Sequence, residues 1–460
     1  MILALLLTLA APSDWVPARW HWLETKTLEL LSGSPVNCLL VDWNAQQKAQ
    51  AQAFAAAAGE RGIATLAVIR PGDNVVEAAR GAISAKLTGI VLEGDFPAGA
   101  AERVKDGLAD SKAPVIELPM RASMKLGSNA PIIGSTQGVW PGIQVLEDGA
   151  AKAGPSGSPW INTNSGFLRA ARAFGDHVVW IGNLPPPGTV VTAEGYLEAI
   201  GDAAMTGARW IVALDDGFAR RLHDGEAAAI KDWQRIVQQL RFYEDRRDWR
   251  AFRPAGKLAV VQGVNDGALL SGGILDMILS RHTPVRAVPP ERLRAEALAG
   301  ASMAVDVDAS SLTPEQREVL KTFTRSGGTL LTAPPGWKDA APAKPDRITL
   351  DEKELKRLDD IWHDMQALIG RRNLGARLFN VSSMLSNLLE SSDGKQILVH
   401  LVNYSNYPVE AVTVHFLGDF KSARLYTPEG GEKKLEVYKV DEGTGVDIEQ
   451  VNVSATLRLE

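Results

Sequence analysis

Val36-Asn-Cys-Leu-Leu-Val-Asp42 is a short apolar run that ends on a carboxylate, and the pattern it opens decides the fold. Similar runs follow: Ala64-Thr-Leu-Ala-Val-Ile69, Gly89-Ile-Val-Leu-Glu93, Pro114-Val-Ile-Glu-Leu118, Pro131-Ile-Ile-Gly134, Pro159-Trp-Ile-Asn162, His177-Val-Val-Trp-Ile181 and Arg209-Trp-Ile-Val-Ala-Leu-Asp215. Alanine-rich helical segments come after most of them. Continuous apolar runs, rather than strict alternation, fit strands buried on both faces, as in a parallel sheet. Eight such runs with helices between them predict a (β/α)8 TIM-like barrel over residues 14–253. The weak unit is Gly134–Ser158, rich in Gly and Pro, which shows no clear helix. Residues 224–249 read as one long closing helix, and Arg253-Pro254-Ala255-Gly256 breaks it.

Working outward, the α/β pattern restarts at Lys257. Strands are expected at 257–262, 284–288, 302–307 and 328–332, with helices at 267–280, 290–298 and 314–325. This predicts a small doubly wound α/β domain of flavodoxin type at 254–348. Residues 349–460 change class. A charged helical linker leads into alternating runs such as Gln396-Ile-Leu-Val-His-Leu-Val-Asn403 and Ser454-Ala-Thr-Leu-Arg-Leu459, separated by turns. These suit a small antiparallel β-sandwich.

At the other end, Met1–Ala11 is apolar but shorter than the roughly 20 residues a bilayer span needs. It suits the core of a signal peptide over residues 1–13, although a basic leader is missing. The expected location is therefore periplasmic or extracellular, and no other stretch reaches membrane-spanning length.

Composition narrows the function. The 460 residues are 45% hydrophobic with a formal charge of −6, which disfavours a general nucleic-acid binder. A single Cys excludes disulfides within the chain, four-cysteine zinc sites and CxxC redox chemistry. The seven histidines form neither HxH nor HExxH, so no metal is expected. Gly263–Gly273 lacks both GxGxxG and a P-loop lysine, so no nucleotide cofactor is expected. There is no GxSxG elbow and no His at an evident barrel-strand end, which disfavours a Ser-His-Asp hydrolase.

Barrel enzymes work at the carboxyl ends of their strands. The side chains expected there include Asp42, Trp43, Arg70, Glu93, Asp95, Glu117, Arg121, Gln137, Trp140, Asn162, Asn164, Asn183, Asp215 and Asp216. Glycoside hydrolysis needs two carboxyl groups across the scissile bond. Glu93 and Asp215 each end an apolar strand before a Gly turn, and Glu117 sits between Ile116 and Leu118, where burial would raise its pKa. These three are the catalytic candidates. Asp215 and Asp216 should point apart on an extended backbone, with one of them capping the next helix. Asp42, Asp95, Asp216, Asn162 and Asn164 are candidate sugar-binding groups; Trp43 and Trp140 are candidate stacking faces. Trp160, Trp180 and Trp210 fit the core, and Asn164 or Ser165 equally fits a helix cap.

Thr313-Pro-Glu-Gln-Arg-Glu-Val-Leu-Lys-Thr-Phe-Thr-Arg-Ser-Gly-Gly-Thr-Leu-Leu331 carries a helix, Ser-Gly-Gly, strand phrase. Together with the order of barrel, small α/β domain and β-sandwich, it resembles the modular TIM-barrel glycoside hydrolases, of which the family 42 β-galactosidases are the familiar case. The resemblance implies an amidotransferase-like middle domain that serves oligomerisation, and a carbohydrate substrate. The clan's Asn-Glu dipeptide is absent from this sequence, so no catalytic residue carries over. The only Cys, Cys38, lies in the barrel, so the middle domain is expected to be structural. The sequence thus favours an exported glycoside hydrolase without a cofactor. Its rival is a non-catalytic carbohydrate-binding or scaffold protein on a degenerate barrel.

Overall fold

The computed structural model describes residues 10–72, 74–141, 143–145, 151–153, 163–263, 282–307, 309–332, 360, 363–370, 373–381, 383–405 and 407–460. They fall into two compact units. The first comprises Met1–Gly138, His177–Tyr196 and Ala208–Asp245; the second comprises Val139–Asp176, Leu197–Gly207 and Arg246–Glu460.

The first unit holds an α/β barrel. Its strands among the described residues are β1 (Pro17–Arg19), β2 (Cys38–Asp42), β3 (Ala64–Ile69), β4 (Gly89–Glu93), β5 (Val115–Leu118), β6 (Ile132–Ser135), β7 (Val178–Ile181) and β8 (Arg209–Trp210). β1 to β5 form one parallel ladder, and β6, β7 and β8 a second. The ladders meet at two seams. Thr136 N–H donates to the Pro119 carbonyl at 3.2 Å, and Arg19 N–H donates to the Val212 carbonyl at 2.7 Å. A parallel bridge between Ala18 and Val212 accompanies the second seam.

This corrects the strand register read from sequence. The first strand is Pro17–Arg19, so Cys38 stands in the second. Three residues beginning with Pro give too short an apolar run to register as a strand. Pro159–Asn162, expected as a strand, lies outside the described residues, as does the expected helix 267–280.

Side chains alternate across every barrel strand. Cys38, Leu40, Leu66, Val68, Val91, Ile116, Leu118 and Trp180 meet inside the barrel. Ala67, Ile69, Ile90 and Leu92 face outward against α1 (Lys48–Gly59), α2 (Val75–Ser84) and α3 (Ala100–Gly107). The closing helix is Ala227–Glu244. Buried Arg209 grips its end through two 2.9 Å bonds to Glu244 and also donates to the Ser13 carbonyl at 2.6 Å. After β5 only a short turn, Arg121–Ser123, precedes β6.

The second unit contains a four-stranded parallel sheet in the order Val285–Val288, Leu258–Val261, Met303–Asp306, Thr329–Thr332. The helix Pro314–Arg325 enters through a capping box, with Thr313 and Gln316 bonding each other's backbone N–H. The unit also holds the antiparallel pair Ile143–Val145 and Ala151–Ala153 and two larger antiparallel sheets. One contains Met384–Glu390, Ile397–Asn403, Ser454–Leu459, Ala423–Thr427 and Gly431–Leu435, with Arg253–Pro254 at its edge. The other is built from Ala376–Phe379, Val409–Leu417, Gly443–Val451 and Val437–Val440. Val399 and Leu401 from the first meet Val412, Val414 and Phe416 from the second in one core.

A Cβ at Gly134 would lie 2.5 Å from Leu118 Cδ2 and 2.7 Å from the Trp180 carbonyl. Gly134→Ala should therefore cost about 1–3 kcal/mol in urea unfolding. Gly127→Ala, which meets nothing within 4 Å, should stay within about 0.5 kcal/mol of the parent. Equal losses at both sites would contradict the packing described.

His400 is fully buried, with Nδ1 2.9 Å from Thr456 Oγ1. Burial first, and then the Arg169 charge, push its imidazole down to about 3. The unfolded chain, with an ordinary His, binds the proton first, so this contribution is intact above pH ~6.5 and is lost as pH falls toward 3. Parent and His400→Gln stabilities should converge on acidification between pH 7 and pH 4. A constant gap across that range would refute the assignment.

Candidate functional site at the barrel mouth

The pleat decides which strand-end side chains reach the mouth. Val91 faces inward, so Glu93, two residues on, does too. The same step carries Leu40 to Asp42 and Val68 to Arg70. β1 contributes Arg19 and, beyond its last residue, His21. Glu93 is buried; its Oε1 ion-pairs with Arg19 and accepts the Thr136 hydroxyl at 3.1 Å, while its Oε2 lies 3.1 Å from Arg70. Arg70 also reaches exposed Asp42 at 3.0 Å. Burial pushes the Arg19 guanidinium down to about 10, against the pull of Asp42 and with some help from Arg70. It remains charged at neutral pH. The result is an alternating chain of charge, Arg19, Glu93, Arg70, Asp42, at one end of the barrel.

His21 was not legible as a strand-end residue because β1 was not. The residue keeps an exposed surface while part of its ring is shielded within the rim, and Asp216 and Asp42 act on it. Desolvation outweighs those carboxylates and lowers its pKa. The expectation that no His stands at a barrel-strand end is therefore corrected.

The other expected residues lie elsewhere. Ile116 and Leu118 point inward, so Glu117 must point outward. There it pairs with Lys125 at 2.9 Å and Lys105 at 3.8 Å. With Asp95 it lines a cavity of about 190 Å³ beside α3, where Asp95 Oδ1 accepts the Met120 N–H at 3.0 Å. Flanking apolar residues, taken from sequence as a sign of burial, signal instead that Glu117 has the opposite facing. Asp215 is the helix cap: Oδ1 accepts the Phe218 N–H at 2.9 Å and Oδ2 the Tyr196 hydroxyl at 3.0 Å. Burial and this carboxylate raise the Tyr196 pKa. Asp216, its neighbour, is exposed. Trp43 follows inward-facing Asp42, so it turns out against Gly81 of α2.

In the second unit Trp140 is buried, which removes it as an open stacking face. Asn164 is fully buried too. It donates to Asp202 Oδ2 at 2.8 Å and to the Val139 carbonyl at 2.9 Å. Asp202 also accepts the hydroxyls of Thr163 and Tyr404. Asn162 lies outside the described residues. Of the expected site residues, the mouth thus gathers Glu93, Asp42 and Asp216. Among the described residues, no group of three or more His, Cys, Asp or Glu could hold a metal ion.

No family model and no curated protein sequence matches the chain. Solved structures do. The alpha-L-fucosidase isoenzyme 2 from Paenibacillus thiaminolyticus is similar over 97% of this chain and 99% of its own, with TM-score 0.66 and 10% identity. That likeness establishes a shared fold. A rhamnosidase from Novosphingobium sp. PP1Y covers 89% of this chain and 40% of its own at TM-score 0.47 and 12% identity. A beta-galactosidase from the psychrophilic Marinomonas ef1 covers 90% and 67% at TM-score 0.37 and 11% identity.

Glu93→Gln would leave buried Arg19 without its counter-charge. We expect a loss of about 3–5 kcal/mol in denaturant unfolding. Asp42→Asn, at an exposed pair, should cost no more than about 1 kcal/mol. Similar small losses at both would show that Glu93 does not anchor the mouth.

Proposed function

We propose that this chain is a carbohydrate-active protein that seats a sugar at the carboxyl-terminal mouth of its barrel and hydrolyses a glycosidic bond there. The observation that carries the proposal is the convergence of Glu93, Asp42 and Asp216 on that mouth, in a fold shared along its whole length with a fucosidase. Held between two guanidiniums, Glu93 stays ionised. That suits a nucleophile or an electrostatic stabiliser of a positively charged transition state, and disqualifies it as proton donor. Asp42 and Asp216 are open to solvent and are the carboxyl groups left to handle protons or orient hydroxyls.

A second reading, sugar binding without cleavage, has its own support. The other two catalytic candidates are spent on structure, Glu117 on two lysines and Asp215 on a helix N-terminus and Tyr196. Export, an amidotransferase-like identity for the middle parallel sheet, and self-association through it belong to the proposal in either reading.

The test assays aryl glycosides of the common hexoses, deoxyhexoses and pentoses. Glu93→Gln should lower kcat/KM by roughly 100-fold or more, and Asp42→Asn or Asp216→Asn should change the pH profile. Glu117→Gln should behave as the parent. Hydrolysis that survives all three mouth substitutions would overturn the catalytic assignment. Sugar binding detected by saturation-transfer NMR without turnover would establish the second reading instead.

A further inference from the structure

One titratable side chain at the mouth has no part in the Glu93 ion-pair chain. β1 pairs with β2 in the register Arg19 to Leu40, and it touches the segment after β8 where Ala18 meets Val212. Extending both registers by the strand period sets His21 beside Asp42 on one side and the Asp215–Asp216 turn on the other. The charged groups that face its ring are Asp216, Asp42 and Arg19. A neutral imidazole carries one N–H donor and a second nitrogen whose lone pair can only accept.

We propose that His21 is a specificity-determining contact of the mouth: its second ring nitrogen accepts a hydrogen bond from a ligand hydroxyl. This rests on the carbohydrate reading above and names one of its contacts. The ligand class is a polyol that presents a hydroxyl donor to the Asp42–His21–Asp216 side of the mouth. Protonation converts the acceptor into a second N–H and removes its complement to that hydroxyl. The carboxylates on either side then compete for the new proton donor. Binding should therefore be strong while the ring is neutral and weaken as it charges. Because desolvation holds the ring's pKa below 6.5, that loss falls on the acid side of 6.5.

The experiment uses the full chain and the methyl glycosides of the common hexoses, deoxyhexoses and pentoses. Affinity is read by saturation-transfer NMR between pH 7.5 and pH 4.5, with circular dichroism confirming that the fold persists. At pH 7.5, His21→Phe should weaken binding roughly ten-fold or more, since a buried hydroxyl would lose its acceptor. His21→Gln keeps an acceptor oxygen; it should recover most of that loss and bind equally at both pH limits. Asp216→Asn should move the midpoint of the acid loss to lower pH, because a carboxylate that favours the charged ring has gone. The His21 imidazole nitrogen resonances, assigned by their absence from His21→Gln, should shift when a binding glycoside is added.

Wild-type binding with no change in His21→Phe overturns this inference and leaves the carbohydrate reading standing. So does a loss in His21→Phe that is independent of pH and unrelieved in His21→Gln, which would mark a packing role. Failure of every glycoside to bind the wild type overturns the carbohydrate reading, and the inference with it.

Discussion

The two-residue alternation of a β-strand is the constraint on which the rest of the barrel depends. Each strand is buried on both faces, so every side chain is committed either to the interior or to the helix layer. One position of slip exchanges those fates. Val91 inside dictates Glu93 inside; Ile116 and Leu118 inside dictate Glu117 outside. Two glutamates on adjacent strands, similar in sequence context, thus acquire unrelated surroundings. One meets Arg19 and Arg70 at the mouth, and the other meets lysines on the flank. The site follows from packing that is settled several residues earlier in each strand.

Electrostatics then limits what the gathered groups can do. A buried carboxylate is stable only when its charge is matched, and Arg19 and Arg70 supply that match for Glu93. The same two cations suppress its use as a proton donor. Proton handling moves by exclusion to the rim, where Asp42, Asp216 and His21 keep access to water. The mouth therefore divides into a fixed ionic floor and a titratable rim. Arg19 is nearly buried yet keeps its charge: desolvation, opposed only in part by Asp42, lowers its pKa to about 10, still well above neutral pH.

Much of this was legible in the sequence, and the failures have physical causes. The strands 38–42, 64–69, 89–93, 115–118, 132–135 and 178–181 coincide with the longest β-branched and leucine runs, because both their faces are dry. β1 escaped because closure needs only three paired residues, Pro17–Arg19, amid Trp15, Trp20 and Trp22, which mimic a loop with scattered aromatics. The loss of β1 hid His21. Trp43 and Trp140 were chosen for their stacking faces, yet Trp43 packs on Gly81 and Trp140 is buried. Composition marks an indole as useful, but only the pleat says which way it points. Asp215 and Asp216 were correctly expected to diverge. The alternation did not resolve which would cap: Ile211 faces inward and Asp215 is in phase with it, yet the chain turns into the next helix at Asp216, and Asp215 caps that helix instead of entering the mouth.

Burial is a poor guide to which carboxylates work. Asp202 is wholly enclosed, and desolvation raises its pKa, as for many catalytic acids. Yet Thr163, Tyr404 and Asn164 occupy both of its oxygens. Every lone pair used to order its own surroundings is one that cannot take a proton from a ligand. Asp215 follows the same logic, with the Phe218 amide on one oxygen and the Tyr196 hydroxyl and Val191 amide on the other. The groups that can still exchange protons with a ligand are those whose partners are few and whose other face is wet. By that criterion Asp216 and His21, modest in the sequence, stand ahead of Asp215 and Glu117. The fold spends its most deeply buried acids on holding loops and helices in place, so that the exposed ones at the mouth are held in register without being consumed.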